Sequence, residues 1–209
     1  MNSNRRTNRR STTLVVLTTA TLGLSLSLTA CAPGFFGMGM GTGPQGYTND
    51  NGSNNATANS VDTMFTTMMI PHHEQAIEMV DVLLAKDGVD PGVLALAERI
   101  KAAQAPEIAL MESWLAAWGM PSQSGMGGMD HGGSGMMSED DMQALEKASG
   151  SAAGTIFLNH MINHHLGAID MAQPVIIDGA DPDVIALAQD IIDNQTAEIA
   201  EMRALLSSL

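Results

Sequence analysis

The chain of 209 residues carries 23 acidic against nine basic residues, a net charge of −14, with 3% aromatic residues and a single cysteine. So acidic a protein is a poor partner for nucleic acid or anionic lipid surfaces and attracts cations. One cysteine excludes an internal disulfide, so stability has to come from a hydrophobic core, helped by any metal the chain binds.

At the front, Arg5, Arg6, Arg9 and Arg10 precede an apolar stretch from about Leu14 to Leu28, which ends in Leu28-Thr29-Ala30-Cys31. Residues 1–30 read as a signal peptide. The last four residues resemble the bacterial lipobox, in which the cysteine, here Cys31, is acylated. The apolar run is too short and too rich in Ser and Thr to span a bilayer comfortably. Removing the leader leaves five basic against 23 acidic residues, a charge of −18. Residues 31–59 are rich in Gly, Asn and Thr and read as a lipidated flexible tether. Residues 60–209 remain for one metal-binding domain, large enough for a real core. The expected location is outside the cytoplasm, lipid-anchored at the outer side of the bacterial cell membrane or in the periplasm or outer membrane.

The domain is written twice. Met69-Ile70-Pro71-His72-His73-Glu74-Gln75-Ala76-Ile77-Glu78-Met79 recurs 92 residues later as Met161-Ile162-Asn163-His164-His165-Leu166-Gly167-Ala168-Ile169-Asp170-Met171. Asp90-Pro91, Ile100, Gln104, Glu107-Ile108 and Met111 recur, offset by 91, as Asp181-Pro182, Ile191, Gln195, Glu198-Ile199 and Met202. The natural unit is a helix pair, and two copies give an all-α four-helix bundle. Repeat 1 covers residues 60–119, a Met/Gly-rich loop 120–137, and repeat 2 residues 138–209.

In chain order, the first helix is predicted from near Ser60 to about Lys86. The second has Asp90 as N-cap and Pro91 at its first position, and stops at Gly119 before Pro121. A short helix opens at Ser138 with Asp141 three residues on. The third main helix covers about Ala152 to Ile177, and the fourth runs from Asp181-Pro182 nearly to Leu209. Pro71 and Pro106 fall inside the first two helices; because Asn163 and Ala197 hold the equivalent places, continuous kinked helices are expected.

At about 100° per residue, Met69, His72, His73, Ala76 and Met79 share one helix face, as do His160, Met161, His164, His165, Ala168 and Met171. Gln104, Glu107 and Met111 share a face with Ile100, repeated by Gln195, Glu198 and Met202. Donor-type side chains therefore lie on core faces, where an unpaired polar group is costly. A Met stripe alone is more often core filling; paired histidines with Met at the same offsets in both copies make a soft-metal site. Imidazole suits several metals, and thioether biases the set toward Cu(I), with Cu(II) or Ag(I) as further occupants. Where di-iron bundles place Glu three residues before His, this chain has Met69 and Met161. His73-Glu74 begins like His-Glu-x-x-His, but Ile77 fills the final place, which removes the metalloprotease reading. In the loop, Met120, Met126, Met129, His131, Met136 and Met137 sit among glycines, where exposed thioethers can capture Cu(I).

The pattern Phe65-x-x-Met68-Met69-Ile70-Pro71-His72-His73-x-x-Ala76-Ile77-x-Met79, followed by Gln104-x-x-Glu107-Ile108-x-x-Met111-x-x-Trp114-Leu115, resembles the domain of unknown function 305 family. Those are exported, ferritin-like four-helix proteins that include the CopM-type copper-binding proteins. The resemblance implies a bundle that binds copper through Met and His and contributes to copper resistance. On this reading Met69, His72, His73, Met79, Met161, His164, His165 and Met171 supply the main ligands. Met111 and Met202 approach from the partner helices, His160 is an extra candidate, and Gln104, Glu107, Gln195 and Glu198 orient the histidines or complete an oxidised site. The expected partners are copper ions and, through the anchor, a membrane; a second copy of the chain or a copper-transfer protein would also suit the role. A metal-dependent oxidase of ferritin-like type and a structural surface lipoprotein stand as alternatives.

Overall fold

A computed structural model describes residues 58–120 and 134–209; the expected signal peptide, most of the expected tether including Cys31, and Met126, Met129 and His131 lie outside the described residues. Among the described residues there are five helices: α1 (Ser60–Leu84), α2 (Pro91–Ala117), the short α3 (Glu139–Lys147), α4 (Gly150–Asp178) and α5 (Pro182–Ser208). No strand occurs among the described residues.

Four of the five starts, all but that of α4, have a capping side chain. Asn59 caps α1 by accepting from the backbone of Val61 and Asp62, while Asp62 accepts in return from the Asn59 N–H. Asp90 and Asp181 cap α2 and α5 immediately before a proline at the first helical position. Ser138 accepts from the Asp141 N–H to open α3. Pro71 and Pro106 do lie inside continuous helices. A third interior proline, Pro174, has no counterpart in repeat 1, where Val82 stands.

α1 packs on α2, α4 packs on α5, and the two pairs meet mainly through α1 and α4. The apolar core comes in two parts. One holds Met79, Val80 and Leu83 from the end of α1, Val93, Leu96 and Ile100 from the start of α2, and Phe157 and Met161 from the start of α4. The other holds Phe65 and Met69 from the start of α1, Met111 and Leu115 from the end of α2, Ala172 and Val175 from the end of α4, and Val184, Leu187 and Ile191 from the start of α5. This membership fixes the directions: α1 and α5 run one way, α2 and α4 the other. It also shows a pseudo-twofold relation, since Phe65 and Phe157, Met69 and Met161, Met111 and Met202, and Ile100 and Ile191 each fall in opposite half-cores. Burial of each large apolar side chain contributes roughly 1.5–3 kcal/mol.

Because α2 ends at one end of the bundle and α4 starts at the other, the connection between them must travel its length. At about 1.5 Å per residue a 27-residue helix is roughly 40 Å long, which a tight turn cannot cover. The returning chain crosses the middle of the bundle at Ser134–Met137 and docks α3 onto α1 and α4, where Lys86 donates to the carbonyls of Glu146 and Ala148. Met137 is only 5% exposed and belongs to the first half-core. That corrects the expectation that every loop methionine is exposed: the crossing chain lies on the bundle and uses Met137 as a core residue.

Candidate metal centre

Between the two half-cores lies a polar layer of His72, His73, His164, His165, Gln104 and Gln195, all buried. α1 and α4 each contribute an adjacent histidine pair, and the pairs meet at the pseudo-twofold axis, where the His72 and His164 rings lie 3.7 Å apart, tilted by 36°. Two charged imidazoles would repel at that distance, and burial already disfavours the cation. The pKa of His72 is pushed down to about 3, first by burial and then by His73. His164 is held well below the usual imidazole range by burial and by His72. Both rings are neutral, the state in which imidazole offers a lone pair to a metal.

The outer rings are oriented from the partner helices. His73 Nε2 lies 2.8 Å from Glu107 Oε2, and His165 Nε2 lies 2.7 Å from Glu198 Oε2. A carboxylate only accepts, so Nε2 carries the hydrogen, and in the neutral ring Nδ1 is then the lone-pair nitrogen. His72 Nε2 donates to the carbonyl of Ser134 at 2.9 Å, with the same consequence. Buried and without a hydrogen-bond partner are Nδ1 of His72, His73 and His165 and both nitrogens of His164. These partnerless ring nitrogens in one layer are a large unmet demand, since each buried orphan costs roughly 1–3 kcal/mol. A metal ion would meet it at one lone-pair nitrogen of each neutral ring, the other nitrogen of His164 carrying its hydrogen.

Thioethers flank the layer on both sides. Met69 and Met161 lie one helical turn before their histidine pairs, and Met111 and Met202 one turn after Glu107 and Glu198; all four are fully buried. Met79 is fully buried and Met171 partly so, each two turns beyond its His pair. Among the described residues no three His, Cys, Asp or Glu side chains converge as one cluster. The side chains in and beside the layer offer nitrogen and sulfur, types that would suit a soft ion.

Two expectations are corrected. His160 does not join the layer; it is partly exposed, and its Nε2 lies 3.9 Å from Asp141 Oδ1 of α3. Its helical angle was right, but that side of α4 meets α3. Gln104 is buried yet orients no histidine, since both of its side-chain polar atoms lack a partner, and the Oε1 of Gln195 lacks one as well. Glu107 and Glu198 have taken the Nε2 positions they would have used.

The profile of the family described as "Domain of unknown function (DUF305)" matches residues 62–206. The chain belongs to the DUF305 family. Among solved structures, this DUF305 chain is similar to a DUF305 fragment from Deinococcus radiodurans, with 31% identity over 73% of this chain and 99% of that one and a TM-score of 0.67. A DUF305 protein from Streptomyces coelicolor described as secreted shows 31% identity, covering 71% and 93% of the two chains, with a TM-score of 0.64. CopM in its Cu(II)-bound form shows 32% identity, covering 70% and 96%, with a TM-score of 0.62; CopM is also known in Cu(I)-bound and Ag-bound forms. No curated protein matches well enough to add to these.

Proposed function

We propose that this DUF305 protein is an exported copper-binding protein that holds Cu(I) in the layer between its half-cores, for sequestration, resistance or transfer. The observation that carries the reading is the set of buried, partnerless imidazole nitrogens, on all four histidines, between methionines of both repeats. Similarity to CopM, with its copper-bound and silver-bound forms, supports it. His72, His73, His164 and His165 would supply nitrogen, and Met69, Met111, Met161 and Met202 sulfur, with Met79 and Met171 next in reach. Thioether favours Cu(I), while Cu(II) relies on the nitrogens and on Glu107 and Glu198. The role is binding rather than catalysis. Acylated Cys31 would anchor the protein, since no helix of the described residues is long and apolar enough to cross a membrane. Cys31→Ser then releases the folded protein from membranes; persistence there after a salt wash contradicts the anchor.

A Cu(I) competition titration tests the site. Replacing His72 and His73 together by Ala should weaken Cu(I) binding far more than His131→Ala, because loop ligands pay an ordering entropy that helix-held ligands have met on folding. Equal losses would move the main site to the loop.

A further inference from the structure

One of the differences between the repeats beside the stacked rings bears on how the rings are covered. Gln75, three residues after His72, corresponds to Gly167, three residues after His164. Both positions serve the same stretch of chain. The Gln75 side chain grips the backbone of Met137 from both sides, donating from Nε2 to the Met137 carbonyl at 2.9 Å and accepting at Oε1 from the Met137 N–H at 2.8 Å. Gly167 provides room: a Cβ there would stand 1.7 Å from the Ser134 carbonyl oxygen. Gly135, at φ +77°, completes the fit, since its own Cβ would meet the Asn163 carbonyl oxygen at 2.1 Å. The chain from Ser134 to Met137 therefore lies backbone against helix on α4, clipped to α1 by Gln75 and pinned by the buried Met137 side chain. At its start the Ser134 carbonyl accepts from His72 Nε2.

We propose that Ser134–Met137 is a strap that closes the His72–His164 pair and selects Nδ1 of His72 as the donor nitrogen, with Gln75 as its clip and Gly167 as its seat. Neutral imidazole carries one N–H, and a carbonyl can only accept. As long as the strap is seated, Nε2 of His72 is committed to Ser134 and Nδ1 faces the layer. Displacing the strap frees Nε2 and uncovers the rings. The closed strap thus orders the donor set and slows exchange of the ion, so equilibrium affinity and rate of access are set by different residues. The metal in this statement rests on the copper reading; the tautomer and the cover do not.

The test uses the metal-free full-length protein first. Imidazole 15N spectra should show His72 in the Nε2–H tautomer, and diethyl pyrocarbonate, mapped by peptide mass spectrometry, should modify His72 far more slowly than His160. Gln75→Leu removes both clip bonds without placing an atom under the strap. It should raise the modification rate of His72 about tenfold or more and mix its tautomers, as expected when two hydrogen bonds that hold a segment closed are lost. Gly167→Ala should do the same by pushing the strap off α4, and if that variant fails to fold Gln75→Leu still decides. In stopped flow, Gln75→Leu should accelerate Cu(I) capture from a chelator. A wild-type His72 in the Nδ1–H tautomer, or a Gln75→Leu variant with wild-type tautomer and modification rate, overturns the strap. Wild type that keeps the predicted tautomer and protection but takes up no Cu(I) overturns the copper reading and leaves the strap standing.

Discussion

The two helix pairs are alike at their outer histidines and unlike at their ends, and the contrast separates what the site needs from what the fold needs. His73 with Glu107 and His165 with Glu198 repeat within 0.1 Å of the same separation. At the helix starts the repeats diverge. In repeat 1 the buried Asp62 carboxylate accepts from the N–H groups of Asn59, Ala180 and Asp181, tying the start of α1 to the α4–α5 turn. The equivalent of Asp62 is Gly154, and there Val89 of the α1–α2 turn packs against the space instead. One end is fastened by hydrogen bonds, the other by apolar contact, around the same centre.

The largest effect should come from Asp62→Ala, which leaves three part-buried N–H groups without their acceptor. We expect a loss of roughly 3 kcal/mol or more in urea unfolding, with Cu(I) affinity of the folded protein unchanged. A loss below about 1 kcal/mol would mean that the two ends are fastened equally. Next is the pH dependence of the metal-free protein. In the unfolded chain His72 and His164 take up protons near pH 6.5, whereas in the folded protein their pKa values are lowered, that of His72 to about 3. Below pH 6.5 the unfolded state binds more protons, so stability falls as pH falls, by up to about 1.4 kcal/mol per pH unit for each ring, until the folded pKa is reached. Unfolding at pH 7, 6 and 5 measures this, and a flat profile would mean that the stacked pair is hydrated. Smallest is Gly154→Ala. A Cβ there finds Val89 and Val93 at 3.6–3.9 Å, ordinary contact distances, so the gain in helix propensity should stabilise the fold by about 0.5–1 kcal/mol. A destabilised variant would show that the Val89 end is packed as tightly as the Asp62 end.

What the sequence made legible was local or repeated. Helix starts follow from Asp90-Pro91 and Asp181-Pro182, and the buried donors from angles along single helices. What it hid depends on partners distant in sequence. His160 has the right angle but faces α3, and no arithmetic along α4 can show that. The mismatch of Gln75 with Gly167 is visible on aligning the repeats, yet acquires meaning only once Ser134–Met137 lies between them. Met137 looked like a linker methionine because its glycine-rich neighbours carry no period, although the chain folds it into the core. Asp62 carries no signal of its own along α1, because two of its three backbone partners, Ala180 and Asp181, are distant in sequence.

The central claim is that buried methionines beside the histidine layer are donors and not filling, and one variant separates the two. Replacing Met69, Met111, Met161 and Met202 together by Leu nearly conserves volume, so the fold should survive at a cost below about 1.5 kcal/mol per site, while every imidazole stays in place. Titration of this variant with Cu(I) and Zn(II) should show Cu(I) affinity falling by more than the ~10-fold to 100-fold typical of losing an outer-shell partner, with Zn(II) binding little changed. Wild-type Cu(I) affinity in the quadruple variant would contradict the account and leave these four side chains as core.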